Sequence, residues 1–426
     1  MLTYLCLDLT GITHCALATL RYQRRRVAEP SRSAHILVAM PDRRTFLAGA
    51  AAPMLLPASA VGANDRVSIA LIGAGGRGRG VMAAFRELGS PAPAVCDVYE
   101  PNLAKGIEAA DEGAQGYRDY REVLERKDID AVLIGTPDHW HVRMMLDAVS
   151  AGKDVYCEKP MSHSISEGVR AVRGVRATDR IVQIGMQRRS TPWVIEMQRA
   201  VADGAIGRIT MARAEWNWAI SRPLDNSALP GDLDEEKFLG GSASSLEPMM
   251  FRKWRYFWAF SGGNMTDQGT HLMDVIQWFG GVGAPRSAVC QGAVIGMQGS
   301  ETPDSFSAAF DYGSFLASWN LNYNNDYQNG WTIELLGDNG TVVLNNRGYR
   351  LYTAPWTQNR EPVQVLEDRL PTIPHVRNFL ECVKSREEPN APVEVGHTAV
   401  CGPHLANIAF HRRSAAFLNP EATEVF

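Results

Sequence analysis

The chain has 426 residues, 45% of them hydrophobic and 21% charged, which excludes disorder, collagen and coiled coil as whole-chain descriptions and leaves room for two or three domains. Residues 1–63 hold seven of the 43 basic residues and three of the 47 acidic ones, so the body from residue 64 carries 36 basic and 44 acidic side chains, a net charge of -8. An acidic body without a basic stripe argues against a nucleic-acid partner, and no apolar run beyond residue 63 reaches the roughly 18 residues of a membrane span.

In chain order, Asp42-Arg43-Arg44-Thr45-Phe46-Leu47 precedes a mildly apolar stretch, Ala48 to Pro57, and then two small-residue sites, Ala58-Ser59-Ala60 and Val61-Gly62-Ala63. This is the three-part layout of an export signal and resembles a twin-arginine leader. Residues 1–39 do not fit that layout, so Met40 is the expected true start. The expected division is a leader over 1–63 (a mis-assigned start, 1–39, and the signal, 40–63), a nucleotide domain over 64–187 and a second domain over 188–426. The leader implies an exported, periplasmic protein.

Arg66 to Ile72 is an apolar run of strand length, followed directly by Gly73-Ala74-Gly75-Gly76-Arg77-Gly78 and a helical stretch, Val81 to Leu88. This is G-x-G-x-x-G between a strand and a helix. Gly73 permits the turn, Gly75 lets the backbone approach a pyrophosphate, Gly78 lets the helix pack on the strand, and Gly76 and Arg77 are counted with them as cofactor contacts ahead of a helix whose N-terminus offers free N–H groups to the phosphates. A second strand, Pro93 to Cys96, ends in Asp97, a carboxylate placed to accept from a ribose diol and to repel a 2′-phosphate, so NAD is preferred over NADP. Further βα units follow: helix 120–126, strand 131–134 ending in Gly135-Thr136-Pro137, helix 142–150, strand 155–157 ending in Glu158-Lys159-Pro160, helix 166–178 and strand 181–184. Such repetition predicts a doubly wound parallel sheet with its ligand beyond the carboxyl ends of the strands, where Gly73, Asp97, Thr136 and Lys159 fall.

After residue 187 the pattern changes. A helix is expected over 190–203, a strand over 208–218, a long loop-rich insertion over 220–262 and a helix over 267–279. Several strands follow between 286 and 346. Phe315, Ala317, Trp319, Leu321 and Tyr323 alternate with polar residues, as in an antiparallel strand buried on one face. Gly337-Asp338-Asn339-Gly340 reads as a hairpin turn. Two helices are expected near 373–385 and 397–413. No pair of the seven cysteines has C-x-x-C spacing and no histidine cluster occurs, so no metal is assigned.

GAGGRGRG at 73–80, GTPDHWH at 135–141, YCEKPMS at 156–162 and GGNMTDQGTHLMD at 262–274 stand in one order, and the chain they mark resembles the glucose–fructose oxidoreductase/inositol dehydrogenase family, Gfo/Idh/MocA, over about 64–415. The resemblance implies an α/β chain: an N-terminal Rossmann sheet binding NAD(P), and a C-terminal α+β domain whose open, mainly antiparallel sheet often forms the oligomer interface. It implies cofactor contacts at Thr136, Pro137 and His141, and at Glu158 and Lys159. It places Lys159 between nicotinamide and substrate hydroxyls and makes His271, of the pair Asp267 and His271, the base that takes a hydroxyl proton.

The residues support this reading on their own terms. Asp267 and His271 are i, i+4 on the expected helix, where a carboxylate would orient and charge the imidazole. A base of that kind can abstract a sugar hydroxyl proton near neutral pH, and Lys159 can stabilise the developing alkoxide. Asp274, one turn on, is a candidate for a sugar hydroxyl. Arg188, just past a strand end, is a candidate for substrate or nicotinamide, and Arg252, Trp254, Arg255 and Trp258 suit either a sugar face or ordinary packing.

The expected function is NAD-dependent hydride transfer from a sugar or polyol by a homo-oligomer, with the cofactor tightly bound because export would separate it from free NAD. Two other readings stand beside it. One is a redox-neutral glycosidase or lyase working by oxidation and elimination; the G-L-G-P that follows Thr-His in exported glycosidases of the family is absent after Thr270-His271. The other is a nucleotide-binding protein without turnover, against which Lys159, Asp267 and His271 all speak. The 220–260 insertion is expected to shape substrate specificity.

Overall fold

The computed structural model describes residues 66–354 and 361–426. The leader expected over 1–63, with its twin arginines and Met40, lies outside the described residues. Among the described residues no helix is long and apolar enough to cross a membrane.

The first sheet has six parallel strands, β1 Ile69–Ile72, β2 Ala94–Cys96, β3 Gln115–Tyr117, β4 Ala131–Ile134, β5 Asp154–Cys157 and β6 Val182–Ile184, in the order β3-β2-β1-β4-β5-β6. Strands β1, β2, β4, β5 and β6 are buried at every position, because helices cover both faces of a parallel sheet. Ala70 and Ile72 of β1 point into one core, Ile69 and Leu71 into the other. The crossovers are α1 Gly76–Glu87, α2 Glu100–Ala109, α3 Tyr120–Glu125, α4 Asp138–Ser150 and α5 Ile165–Arg176. Side chains start two of them: Asp119 accepts from Arg121 N at 3.0 Å, and Ser164 from Glu167 N at 3.2 Å.

Helix α2 and strand β3 were not visible in the sequence. The helix carries Pro101 in its first turn and Gly106 in its middle, and Gly106 is its only buried residue. The strand is an exposed edge. Neither presents an apolar stripe for periodicity to find.

The second sheet has nine strands, β7 Ile209–Asn217, β8 Ser287–Ala293, β9 Ser305–Asp311, β10 Leu316–Asn322, β11 Gly330–Gly337, β12 Gly340–Asn345, β13 Gly348–Thr353, β14 Gln364–Glu367 and β15 Ala416–Phe417. Their order is β14-β13-β12-β11-β7-β10-β9-β8-β15, open at both ends and antiparallel except where β10 runs parallel to β7. The alternation at 315–323 therefore marks a strand with one antiparallel and one parallel neighbour. Its Trp319, Leu321 and Tyr323 are at most 2% exposed. Asp338 and Asn339 make the expected turn between β11 and β12.

Helix α6 Pro192–Ala202 follows a 3-10 turn at Gln187–Ser190. Two short helices, α7 Glu235–Leu239 and α8 Pro248–Arg252, interrupt the stretch expected to be loop. The single helix expected over 267–279 is two, α9 Gly263–Asp267 and α10 Gly269–Gly280. The last helices are α11 Ile373–Ser385 and α12 Val393–Arg412. Helix α11 returns to the first sheet, where the Phe379 ring lies 5.8 Å from both Phe85 and Tyr156. Burying one such ring is worth about 1.5–3 kcal/mol. Helix α12 is buried nearly all round between α5, α10 and β8.

Candidate active site

The glycine-rich turn leaves β1 at Gly73, whose φ of +89° only glycine adopts freely. A Cβ at Gly78 would stand 2.1 Å from the Gly73 carbonyl oxygen, so helix and turn touch backbone to backbone there. Gly75 and Gly76 face open space, and Gly75 starts α1 with no side-chain cap. The first N–H groups of α1 are thus free for an anion. They open on a cavity of about 900 Å³ lined by Gly73, Gly75, Gly76, Arg77, Asp97, Thr136 and Pro137. The cradle fits a dinucleotide.

Asp97 lines this cavity at the end of β2. Its carboxylate accepts from Ala74 N at 2.7 Å and Tyr99 N at 2.9 Å, tying the glycine turn to the next strand. Burial pushes its pKa up to about 6 despite these donors. Each oxygen keeps a second lone pair for a diol.

The insertion stands over this groove. Asp234, Lys237, Phe238, Gly240, Phe251, Arg252, Trp254 and Arg255 all line the cavity. The insertion is clasped to the Asp97 side by Asp234 N to Val98 O at 3.0 Å, and to α4 by Trp140 Nε1 to Phe238 O at 2.9 Å. The 220–260 insertion, expected to shape substrate specificity, thus lies along the nucleotide groove. Of the residues offered as a sugar face, Trp254 stacks with Arg255 at 4.1 Å and Trp258 packs on His411 at 4.5 Å.

His141 does not line the cavity. It is 1% exposed, with Nδ1 2.7 Å from Pro160 O and Nε2 2.9 Å from Thr136 O. The expected cofactor contact is corrected: His141 ties the β4 end to the loop after β5, one ring nitrogen donating to a backbone carbonyl and the other facing a second. Glu158 holds Arg77 of the glycine turn, Nε to Oε1 at 2.9 Å, so it acts on the cofactor cradle through that arginine.

Lys159 sits at the end of β5 with Nζ 2.7 Å from both the backbone oxygen and Oδ1 of Asp267. Arg255 donates to the same Oδ1 at 3.1 Å and also lines the cavity. Burial raises the Asp267 carboxyl, but the charges and hydrogen bonds of Lys159 and Arg255 outweigh it and hold the pKa well below the usual range. The expected Asp267–His271 pair is therefore corrected. Asp267 closes α9, its charged oxygen is spent on two cations, and no hydrogen bond joins it to His271 among the described residues. His271 lies in the first turn of α10, 7% exposed. Burial first, then the charges of Arg188, Lys159 and Arg77, push its pKa well below the usual value. The ring is neutral, which leaves a lone pair to accept a proton.

Asp274, offered for a sugar hydroxyl, gives Oδ1 to Arg189 Nε at 2.6 Å and is 1% exposed. Its neighbour Arg188 is buried and stacks on Trp331 of β11 at 4.4 Å. The fold thus gathers Lys159, Asp267, His271, Asp274 and Arg188 from three stretches of chain, with Arg77 and Glu158 at the edge nearest the glycine turn.

Two family models match the chain. "Oxidoreductase family, NAD-binding Rossmann fold" covers residues 67–186, and "GFO/IDH/MocA C-terminal domain" covers 194–343. The chain belongs to the Gfo/Idh/MocA family. Among family relatives, inositol 2-dehydrogenase 4 of Saccharopolyspora erythraea is 35% identical over 148 residues, 34% of this chain and 44% of that protein. The match with this inositol dehydrogenase therefore spans less than half of its length. Levoglucosan dehydrogenase of Pseudarthrobacter phenanthrenivorans is 25% identical over 318 residues, 66% of this chain and 74% of the relative. In fold the chain is similar to WlbA dehydrogenase from Bordetella pertussis in complex with NADH and UDP-GlcNAcA, with a TM-score of 0.66, 20% identity, and coverage of 83% of this chain and 98% of that one. It is similar to levoglucosan dehydrogenase in complex with NADH and levoglucosan to the same TM-score, 0.66, at 18% identity and 82% and 98% coverage.

Within this family frame, three residues stand out that the sequence reading left aside. Asp138, in the first turn of α4, is 1% exposed and accepts from Ser261 Oγ at 2.6 Å; burial lifts its pKa to about 7. Trp216 and Trp331 are register partners on the inner face of the second sheet. Their alternation signals a core, and nothing in it signals a ligand.

Proposed function

We propose that the protein is an NAD-dependent dehydrogenase acting on a hydroxyl of a sugar or polyol. The observation that carries this reading is Lys159 at the end of β5, its ammonium group fixed by Asp267 at 2.7 Å, with the buried His271 in the first turn of the helix that follows Asp267. When bound, NAD would supply the hydride acceptor. The chain's own groups would do the rest. The free imidazole of His271 takes the hydroxyl proton as the carbon is oxidised. Lys159 offers a fixed positive charge to the developing alkoxide, and its hydrogen bonds to Asp267 hold it before the reaction begins. Arg255 shares the Asp267 carboxylate and ties the charged cluster to the cofactor cavity. The names of the relatives, inositol 2-dehydrogenase and levoglucosan dehydrogenase, support a polyol or sugar as substrate.

Two finer features belong to the same proposal. The roof made by 234–255 favours slow release of the cofactor, in keeping with an exported enzyme loaded before the twin-arginine step. The outer face of the second sheet exposes Met211 and Leu316, which are register partners, together with Val289 and Val365, an apolar surface that supports a homo-oligomer.

The test is purified protein with NAD and a panel of free sugars, polyols and aryl glycosides, following nicotinamide reduction and aglycone release together. Reduction by a free sugar without aglycone is the expected result. Aglycone release without net reduction would replace the proposal with the oxidation–elimination reading, and neither signal with any compound would refute both.

A further inference from the structure

Five cations surround the reacting region: Arg77, Lys159, Arg188, Arg189 and Arg255. Four are accounted for. Arg77 is held by Glu158, Arg189 by Asp274, and Lys159 and Arg255 share Asp267. Arg188 is not. It is 5% exposed, and its Nε and Nη1 are buried without a hydrogen-bond partner. Burial lowers its pKa to about 10, with the Asp274 charge partly opposing, so it keeps its charge at neutral pH. A buried guanidinium without a partner is costly to a fold, and a protein keeps one where something else supplies the anion.

Its surroundings say where that anion sits. The guanidinium lies over the ring of Trp331 at 4.4 Å, and no acceptor among the described residues meets its buried Nε and Nη1. Trp331 faces Trp216 across the β7–β11 ladder, and Trp216 Nε1 is a second buried donor without a partner. His271, on the helix packed against these two strands, feels Arg188 as its strongest charged neighbour. Two orphan donor groups thus lie on or against the two strands that pack on the helix of the proposed base.

We infer that Arg188, with Trp216 Nε1, binds a carboxylate carried by the substrate, so that the favoured substrates are sugar acids such as uronates or aldonates rather than neutral sugars. Planar guanidinium and planar carboxylate match two donors to two oxygens. A neutral hydroxyl would leave the buried charge uncompensated. Five cations face three carboxylates, Glu158, Asp267 and Asp274, so the region keeps a net positive charge for an anionic substrate group to meet. The inference deepens the dehydrogenase reading and rests on it for the reaction, but the binding claim stands apart.

The experiment uses the full chain loaded with NAD or NADH. Initial rates are compared for paired probes: D-glucose with D-glucuronate, D-galactose with D-galacturonate, sorbitol with D-gluconate, and glucose 6-phosphate as the phosphate control. In parallel, tryptophan fluorescence of the NADH complex is titrated with the same compounds, since Trp216 and Trp331 flank the site. The expected result is an acid favoured at least tenfold in kcat/KM over its neutral partner. Arg188→Gln should cut turnover and binding of the acid at least a hundredfold and lower the acid-to-neutral ratio in kcat/KM at least tenfold, with Arg188→Lys between the parent and Arg188→Gln. Preference for the neutral member of each active pair, preference for the phosphate, or equal losses for acid and neutral in Arg188→Gln would overturn the inference, as would the absence of acid binding. Acid binding that Arg188→Gln abolishes, without turnover of any compound, would uphold the inference and sink the dehydrogenase reading instead.

Discussion

Asp267→Asn separates a fixed charge from an incidental one. The side chain is nearly isosteric, so packing is kept while the charge is lost. In the parent, Oδ1 meets Lys159 Nζ at 2.7 Å and Arg255 Nε at 3.1 Å, and the Asp267 and Lys159 side chains are 7% and 11% exposed. At an effective dielectric of 20 those separations correspond to gross attractions of about 6 and 5 kcal/mol, and removing one partner of a buried pair costs a net of about 3–5 kcal/mol. We expect a loss of about 3 kcal/mol in urea unfolding at pH 7, the lower end of that range. Because the carboxyl pKa is depressed in the folded state, its contribution is complete above the unfolded value near 3.8 and fades as pH falls through the folded value. The gap between parent and variant should therefore hold from pH 8 to pH 5 and narrow below pH 4. NADH-coupled rates should fall in kcat by about 100-fold, as when one preorganised charge is lost at a developing alkoxide. A variant within about 0.5 kcal/mol of the parent at pH 7, or one with unchanged kcat, would refute the assignment of Asp267 as the anchor of Lys159.

The other predictions need less development. Burial and neighbouring cations keep His271 neutral, so kcat/KM should stay flat as pH falls from 8 through 6.5, and an acid limb centred near 6.5 would contradict the neutral base. His271→Asn should lower kcat by about 100-fold or more with little change in NADH affinity by fluorescence titration. Gly78→Ala drives a Cβ against the Gly73 carbonyl oxygen, and calorimetry should show NAD affinity reduced at least tenfold; an affinity equal to the parent's would show that the turn yields freely. Asp138 is ionised in the unfolded chain above about 3.8 but protonated in the fold up to about 7, so it destabilises the fold as pH rises across that window. Asp138→Asn should raise the melting temperature at pH 8, leave it unchanged at pH 3.5 and represent at most about 4 kcal/mol; lower stability at pH 8 would show that the carboxylate is held ionised.

Much of the nucleotide half was legible in the sequence, because its signals are local. A glycine turn between a buried strand and a helix obeys backbone sterics within six residues, and Ala131 to Ile134 reads as a strand because a parallel sheet covered on both faces admits only apolar side chains. The E-K-P and T-D-Q-G-T-H segments named Lys159, Asp267 and His271 without any structure. Helix α2 and strand β3 escaped because an exposed edge carries no apolar period.

What tertiary structure alone decided is which charge meets which. Sequence spacing set Asp267 against His271, but the helix break at Gln268 and the approach of Lys159, more than a hundred residues earlier, and of Arg255 gave the carboxylate two cationic partners and left the imidazole neutral. The insertion read as a substrate loop lies over the nucleotide groove because Phe238 and Asp234 find their hydrogen-bond partners on α4 and beside Asp97. Arg188 was a candidate for substrate or nicotinamide from its place past a strand end; the fold put Arg189 on Asp274 and left Arg188 buried over Trp331 with no hydrogen-bonded anion. Spacing along the chain determines backbone geometry and burial period. Electrostatic pairing depends on side chains brought together from distant segments, and only the folded chain determines it.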